Sequence, residues 1–286
     1  MAIALLFIIF AILLMIGVPV AFALAAAALA TLLYLDLPTI VLVQQISAGT
    51  GTASLIAIPL FIFAGEIMMR GGISERLIAL ASSLVGRMRG GLGQVSVLSS
   101  LFFGGVSGSA IADVSAVGGT MIPQMVKRGY DRDFAVNVSI TAALVALLVP
   151  PSHNLILYTA AAGGGLSIAD LFAAGIMPAL LMTAALMLTG YLVARRRGYG
   201  VEIFPGWRAV LLRLVSALPG LGLVALIFVG IRMGIFTAVE SAAVAVVYAL
   251  LVTIVLYRQL RLREFMETIV HAARSTGVIL FVIATA

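Results

Sequence analysis

The sequence predicts an all-α integral membrane protein in which one apolar segment re-enters the membrane as a helical hairpin and another is broken in mid-span. Three observations predict it. Apolar residues make up 63% of the 286 and charged residues 10%, where a soluble domain averages roughly half and a quarter. The apolar residues gather into long runs separated by short basic connections. Two runs carry polar and helix-breaking clusters: FGGVSGSAIADVSAVGG at 103–119 and VPPSHN at 149–154.

The elements follow in chain order. Residues 2–16 and 19–34 are apolar and parted at Gly17 and Pro19. The start, MAIALLFIIF, lacks a basic leader region and a small-residue cleavage site, so it reads as a first span and not as a signal peptide. Residues 54–69 end at Arg70. The stretch ISERLIALASSLVGRMR at 73–89 mixes charges with an apolar face; it either lies along the cytoplasmic interface or packs on neighbouring helices. Then come 92–122, 134–161, 168–194, 209–231, 235–257 and 267–286.

Basic residues cluster at 70–89, 127–132, 195–197 and 258–263, and such clusters face the cytoplasm. The connections 35–51 and 162–167 have no Lys or Arg, and 231–234 has only Arg232, so these three lie outside. One assignment satisfies every connection and puts the N-terminus outside. The net charge of +6 is therefore orientation information, and no nucleic-acid partner is expected. The absence of cysteine excludes disulfides, thiolate metal sites and cysteine nucleophiles. No Ser/His or paired-Asp arrangement with catalytic spacing and no GxxxxGK motif occurs, so an enzyme is not expected.

Segment 92–122 has cytoplasmic-type charge on both flanks and must enter and leave on one side. Two full crossings need about 40 residues, and the segment has 31. A re-entrant hairpin is the remaining solution. Backbone at membrane depth with free polar groups is tolerated only beside a polar cavity or inside protein. Glycine permits the turn. A second arm beginning near Ser109 would aim its free N–H groups at the tip, where an anion is favoured. Carbonyl and serine oxygens there suit a hard cation such as Na⁺. Small-residue helix packing is the alternative account of the glycines, but it does not call for SGS together with Asp113. In VPPSHN two prolines remove backbone hydrogen bonds and unwind the segment, leaving carbonyls near Val149 and Pro150 as natural cation ligands; a plain kink is the alternative. His153 is expected to hydrogen-bond within the bundle. Glu66 and Glu240 are either functional carboxylates or helix-pairing groups near span ends, and Arg232 is a docking contact or a boundary anchor.

The order of features recurs. GVPVAFALAAAALATLLY from Gly17 parallels GIFTAVESAAVAVVYALL from Gly234, and each is followed by another span, SLIAIPLFIFAG or STGVILFVIATA. Five crossings and one hairpin separate the two starts, so the second copy is inverted. Inverted repeats with broken helices mark many secondary transporters. The expected organisation is a first repeat at 1–207, with the hairpin at about 92–126 and the broken helix at about 134–161, and an incomplete second repeat at 208–286. A repeat spacing of about 220 residues would need on the order of 430 for two copies. The chain is thus expected to be a C-terminally truncated piece, or one part of a split protein.

The runs GTASLIAIPLFIFAGEIM, GGVSGSAIADVSAVG, MIPQMVKRGYDRDFA and VPPSHNLILYTAAAGG, in that order, resemble the large membrane subunit of TRAP (tripartite ATP-independent periplasmic) transporters. GIFTAVESAAVAVVYAL is similar to that family's G-x-x-T-P-T-E-A-A-A-V-A-x-x-Y-A signature, with Ala238 where the family usually has Pro and Ser241 where it has Ala. The resemblance covers essentially the whole chain. It implies a Na⁺-coupled, binding-protein-dependent importer of organic acids, of the C4-dicarboxylate, sialate or sugar-acid class, in the bacterial or archaeal inner membrane. It implies a periplasmic substrate-binding protein and a small four-helix membrane subunit as partners, an elevator movement, and no cofactor beyond Na⁺ as coupling ion. It places a first Na⁺ site on Gly105, Ser107, Ser109, Val149, Pro150 and Ser152, with Gly108, Asp113, Pro151 and Asn154 facing substrate or supporting the site. A second Na⁺ site and most substrate contacts would belong to the missing half of the subunit. The alternatives are a related transporter that works without a binding protein, an ATP-driven permease, and a non-transporting fragment.

Overall fold

A run such as AIALLFIIFAILLM can satisfy its own backbone in lipid only as a helix. The computed structural model describes residues 1–51, 53–162, 165–202 and 204–285, and every regular element among them is helical. The first is α1 (Ala2–Met15), which turns back through Gly17 at φ +91° into α2 (Val20–Tyr34), with Pro19 at the entry to the second helix. The outer connection carries a helix of its own, α3 (Ile40–Thr50), because the run IVLV gives it an apolar face. Next comes α4 (Ala57–Arg70), bent by 68° at Gly71 and Gly72 into α5 (Ile73–Val85). A Cβ at Gly71 would collide with the side chain of Thr253, so glycine lets this corner press against a distant helix.

Of the two readings of 73–89, the structure takes the packed one. Ile73, Leu77, Leu80 and Ala81 are buried, and α5 packs against α6 (Gly91–Ser107) and α12 (Trp207–Arg232). Arg76 lies 3.7 Å above the Tyr257 ring and donates to the Gln259 side chain at 3.0 Å.

The remaining elements are α7 (Ala110–Asp113), a π-helical turn at Val114–Gly118, α8 (Gly119–Lys127), α9 (Arg132–Ala143), a 3₁₀ turn at Leu144–Leu147, α10 (His153–Ala161), α11 (Ile168–Arg197), α13 (Ala238–Leu250, continued as a π-helix over Leu251–Leu256) and α14 (Leu262–Thr285). Among the described residues, α11, α12, α13 with its extension, and α14 are each long and apolar enough to cross a membrane; α4 and α5 meet that standard only as the bent pair. The chain is a multi-pass membrane protein.

Ion pairs among the described residues link connections that the charge pattern assigns to the same side. Arg128 pairs with Glu202 at 2.6 Å, Arg70 with Glu267 at 3.0 Å, and the Glu202 amide donates to the Gly86 carbonyl at 2.9 Å. Asp131 meets both Arg197 and Tyr199, whose hydroxyl donates to it at 2.8 Å. Tyr199 and then Arg197 hold the Asp131 carboxyl below its usual range. On the other side Arg232 pairs with Asp170 at 2.7 Å, which makes Arg232 a clamp between α11 and α12. Residues 163 and 164 of the connection 162–167 lie outside the described residues. Exposed pairs of this kind add little stability; their value here is positional.

The segments expected to recur pack on one another. Gly234, at φ +70°, turns α12 into α13 as Gly17 turns α1 into α2. In turn α13 packs on α4, α14 packs on α2, and α4 and α14 pack on each other.

Glu240 is not a free intramembrane carboxylate. Its carboxylate accepts from the Thr237 amide at 2.7 Å, and the Thr237 hydroxyl accepts from the Glu240 amide at 3.3 Å. This capping box was legible in TAVE, the S/T-x-x-E signature of a helix start. Thr237→Ala is expected to cost about 1 kcal/mol, read as a lower melting temperature of the detergent-purified protein, while Thr237→Ser keeps the wild-type value.

Candidate functional site

The hairpin is built by α6 and by the arm that α7, the π turn and α8 form together. Its tip is Gly108, left-handed at φ +58°, a conformation glycine adopts without penalty. Ser109 is extended and starts the second arm, its hydroxyl accepting from the Ala112 amide at 3.4 Å. The Ser107 hydroxyl accepts from the Ser109 amide at 3.4 Å. Across the arms the Ser100 hydroxyl donates to Asp113 Oδ2 at 2.6 Å, and both residues are buried. Asp113 therefore fastens the hairpin from within. It lines neither of the cavities at the tip.

The break lies between the 3₁₀ turn and α10, where Pro150 and Pro151 withdraw two amides from helical pairing. The Ser152 hydroxyl reaches back across it and donates to the Leu147 carbonyl at 2.7 Å. That leaves the lone pairs of its oxygen as acceptors.

Tip and break meet. A Cβ on Gly108 would run into the Pro151 carbonyl oxygen and stand 3.1 Å from Ser152 Cα. On Gly105 it would stand 3.2 Å from a Val149 methyl, and on Gly104 2.6 Å from Ala146 Cα. From the opposite side α4 closes in, with Gly65 leaving only room for the Ser107 backbone at 3.1 Å. The structure thus gathers Gly105, Ser107, Gly108, Ser109, Val149, Pro150, Pro151 and Ser152 around one junction. It does not give them one face. Gly105, Val149 and Pro150 border an apolar cavity of about 340 Å³ toward α11 and α12. Ser107 and Ser109 border a more polar cavity of about 510 Å³ toward α4 and α14. Ser152 is fully buried between them. Asn154 is exposed and lines neither cavity. It is two positions past Ser152 on a helical path, about 200° around the axis, which turns it away from the junction.

Two residues that the sequence left without a site role stand on the polar cavity. His153 is 6% exposed, and its Nδ1 has no partner, where a hydrogen bond inside the bundle was expected. Arg70, read from the sequence only as an orientation signal, lines the cavity beside Glu66. No periodicity in the sequence could have found this pairing of α4 with the hairpin tip. Gly65, one residue before Glu66, was the available signal, since a glycine inside an apolar helix marks a close approach.

The family model for "Tripartite ATP-independent periplasmic transporter, DctM component" matches residues 7–286. The chain is 37% identical to the protein YgiK of Salmonella typhimurium over 96% of its own length and 63% of the relative's. It is 36% identical to the 2,3-diketo-L-gulonate TRAP transporter large permease protein YiaN of Escherichia coli, over 95% of this chain and 64% of that one. It is 36% identical to the C4-dicarboxylate TRAP transporter large permease protein DctM of Vibrio cholerae, over 100% of this chain and 68% of that one. The chain thus spans 63% to 68% of the length of these curated relatives.

Proposed function

This chain belongs to the family of the tripartite ATP-independent periplasmic transporter DctM component, and from that premise we propose that it serves as the large permease subunit of a Na⁺-coupled importer of organic acids across the inner membrane. The observation that carries the reading is the junction of hairpin tip and helix break. It sets the Ser107 and Ser109 hydroxyls on a polar cavity roomy enough for a small acid, next to the buried Ser152 and the broken backbone, and such oxygens are of the kind that hold a hard cation. The names of relatives that carry C4-dicarboxylates, 2,3-diketo-L-gulonate or ectoine support a small polar organic solute.

In this reading Ser107, Ser109 and Ser152 supply hydroxyl oxygens, and the backbone near Gly105, Val149 and Pro150 supplies carbonyls. Gly108 lets the two strands of backbone approach. Asp113 holds the second arm in register, and the N-terminus of that arm faces the anion. The body made by α6 to α10 moves as a unit against a frame of α2, α4, α13 and α14, whose interlocked pairing suits a static scaffold. A periplasmic binding protein delivers the solute and a small four-helix membrane subunit buttresses the frame. Exposed apolar residues on α1, α11 and α12 leave surface for lipid and for that subunit.

The test is uptake of a labelled organic acid by the protein expressed from its complete gene with its partners, as a function of Na⁺. Ser107→Ala combined with Ser152→Ala is expected to shift half-saturation by Na⁺ upward by tenfold or more, since each lost cation ligand is worth about 1 kcal/mol or more. Na⁺ activation identical to wild type would remove the junction as the cation site.

A further inference from the structure

The cavity between the hairpin tip and the α4–α14 wall holds more polar chemistry than a cation site uses. The chain has two histidines, and both line it: His153 from α10 and His271 from α14. Among the described residues, three buried side-chain atoms without a hydrogen-bond partner belong to groups on this cavity: His153 Nδ1, Glu66 Oε2 and Arg70 Nε. A buried polar atom left unpaired is costly, and native proteins keep few of them. Here the residues that carry them stand on α4 and α10 and line one cavity, although each of these atoms is itself enclosed.

His153 is the most enclosed of the three residues, at 6% exposure. It opens α10 directly after the break, so the backbone that carries Ser152 also fixes its imidazole. A histidine in that position offers a donor or an acceptor at Nδ1, according to tautomer.

We propose that His153, which lines this cavity, contacts the transported solute, its imidazole pairing with an oxygen of a small organic acid held between the hairpin tip and the α4–α14 wall. The inference rests on the functional reading above and adds to it a residue that helps set which acid is accepted. A carboxylate at the tip would lie near Ser107 and Ser109, and the imidazole would meet an oxygen further along the molecule.

The test compares wild type, His153→Leu and His153→Asn, expressed from the complete gene with its partners, for uptake of two labelled probes: a plain C4-dicarboxylate and a hydroxylated sugar acid. His153→Leu is expected to raise KM for the better-transported acid by about three- to tenfold with kcat changed less, the cost of one lost hydrogen bond. His153→Asn keeps a side-chain donor and acceptor at this position and is expected to recover most of that loss. A KM within twofold of wild type in His153→Leu, or His153→Asn failing alongside it, overturns the proposal. A second measurement needs no uptake. His153→Cys is the sole thiol among residues 1–286. It should react with an anionic methanethiosulfonate and be slowed by one of the two acids, while Ser99→Cys, fully buried between helices, stays unreacted. A thiol at 153 that does not react, or that neither acid protects, also overturns it. Wild type that takes up no organic acid would instead sink the functional reading, and the thiol reaction would still report on His153.

Discussion

Gly108→Val is expected to abolish Na⁺-dependent uptake and to destabilise the protein by roughly 3–5 kcal/mol. Two costs add. A β-branched residue at φ +58° is forced into the left-handed region that only glycine visits freely. Its Cβ would also collide with the Pro151 carbonyl oxygen, which cannot move without disturbing the break. Gly108→Ala should fall in the same direction by a smaller amount. The measurement is thermal unfolding of the purified protein together with uptake. Gly119→Ala is the control, because a Cβ there meets nothing within 4 Å and the residue lies in helix. A melting temperature for Gly108→Val equal to that of the control would mean that the tip does not seat on the break.

Asp113→Ala carries the next largest effect, a loss of about 2–3 kcal/mol. The substitution leaves the Ser100 hydroxyl buried without its acceptor and empties a buried space between the arms. Ser100→Ala should also cost stability, since it strands a buried oxygen of Asp113. The double variant should be clearly less harmful than the sum of the two, with a coupling of about 1 kcal/mol or more. Additive losses would show that the pair does not hold the arms together. Asp113→Asn keeps an acceptor and should retain most of the stability. Cation affinity is the discriminating readout: if Asp113 only fastens the hairpin, Asp113→Asn leaves Na⁺ activation near wild type.

Much of the fold was legible because bilayers impose few solutions. Segment lengths, basic connections and two helix breaks were enough to expect the hairpin over FGGVSGSAIADVSAVGG and the interruption at VPPSHN. The helices α6 to α8 run over 91–127 and α9 to α10 over 132–161. The short connection 35–51 was not read as a helix, since its apolar run is only four residues before polar glutamines intervene. The site was half legible. Local motifs identified the two backbone breaks, and the structure brings them together. Facing direction was not legible, because it depends on which neighbour packs on each side. Hence the split of Gly105 and Val149 from Ser107 and Ser109, the outward turn of Asn154, and the exposure of His153 to the polar cavity. Glu240 was a different kind of miss. Its capping partner stands three residues away, and local pattern alone would have assigned it.

The interlocked frame also sets an order of assembly. Helix α2 has its partner α14 more than two hundred residues downstream, and α4 meets α13 only after the hairpin, the broken helix and two long spans have been made. The segments from α6 to α9, by contrast, find most of their neighbours among themselves. During synthesis the ribosome delivers the N-terminal part first, and contacts between distant segments form slowly. The hairpin and the segments packed on it therefore come together before α2 and α4 gain their downstream partners. Helices α1 and α2 wait in the bilayer as a two-helix pair until α14 emerges and packs on α2.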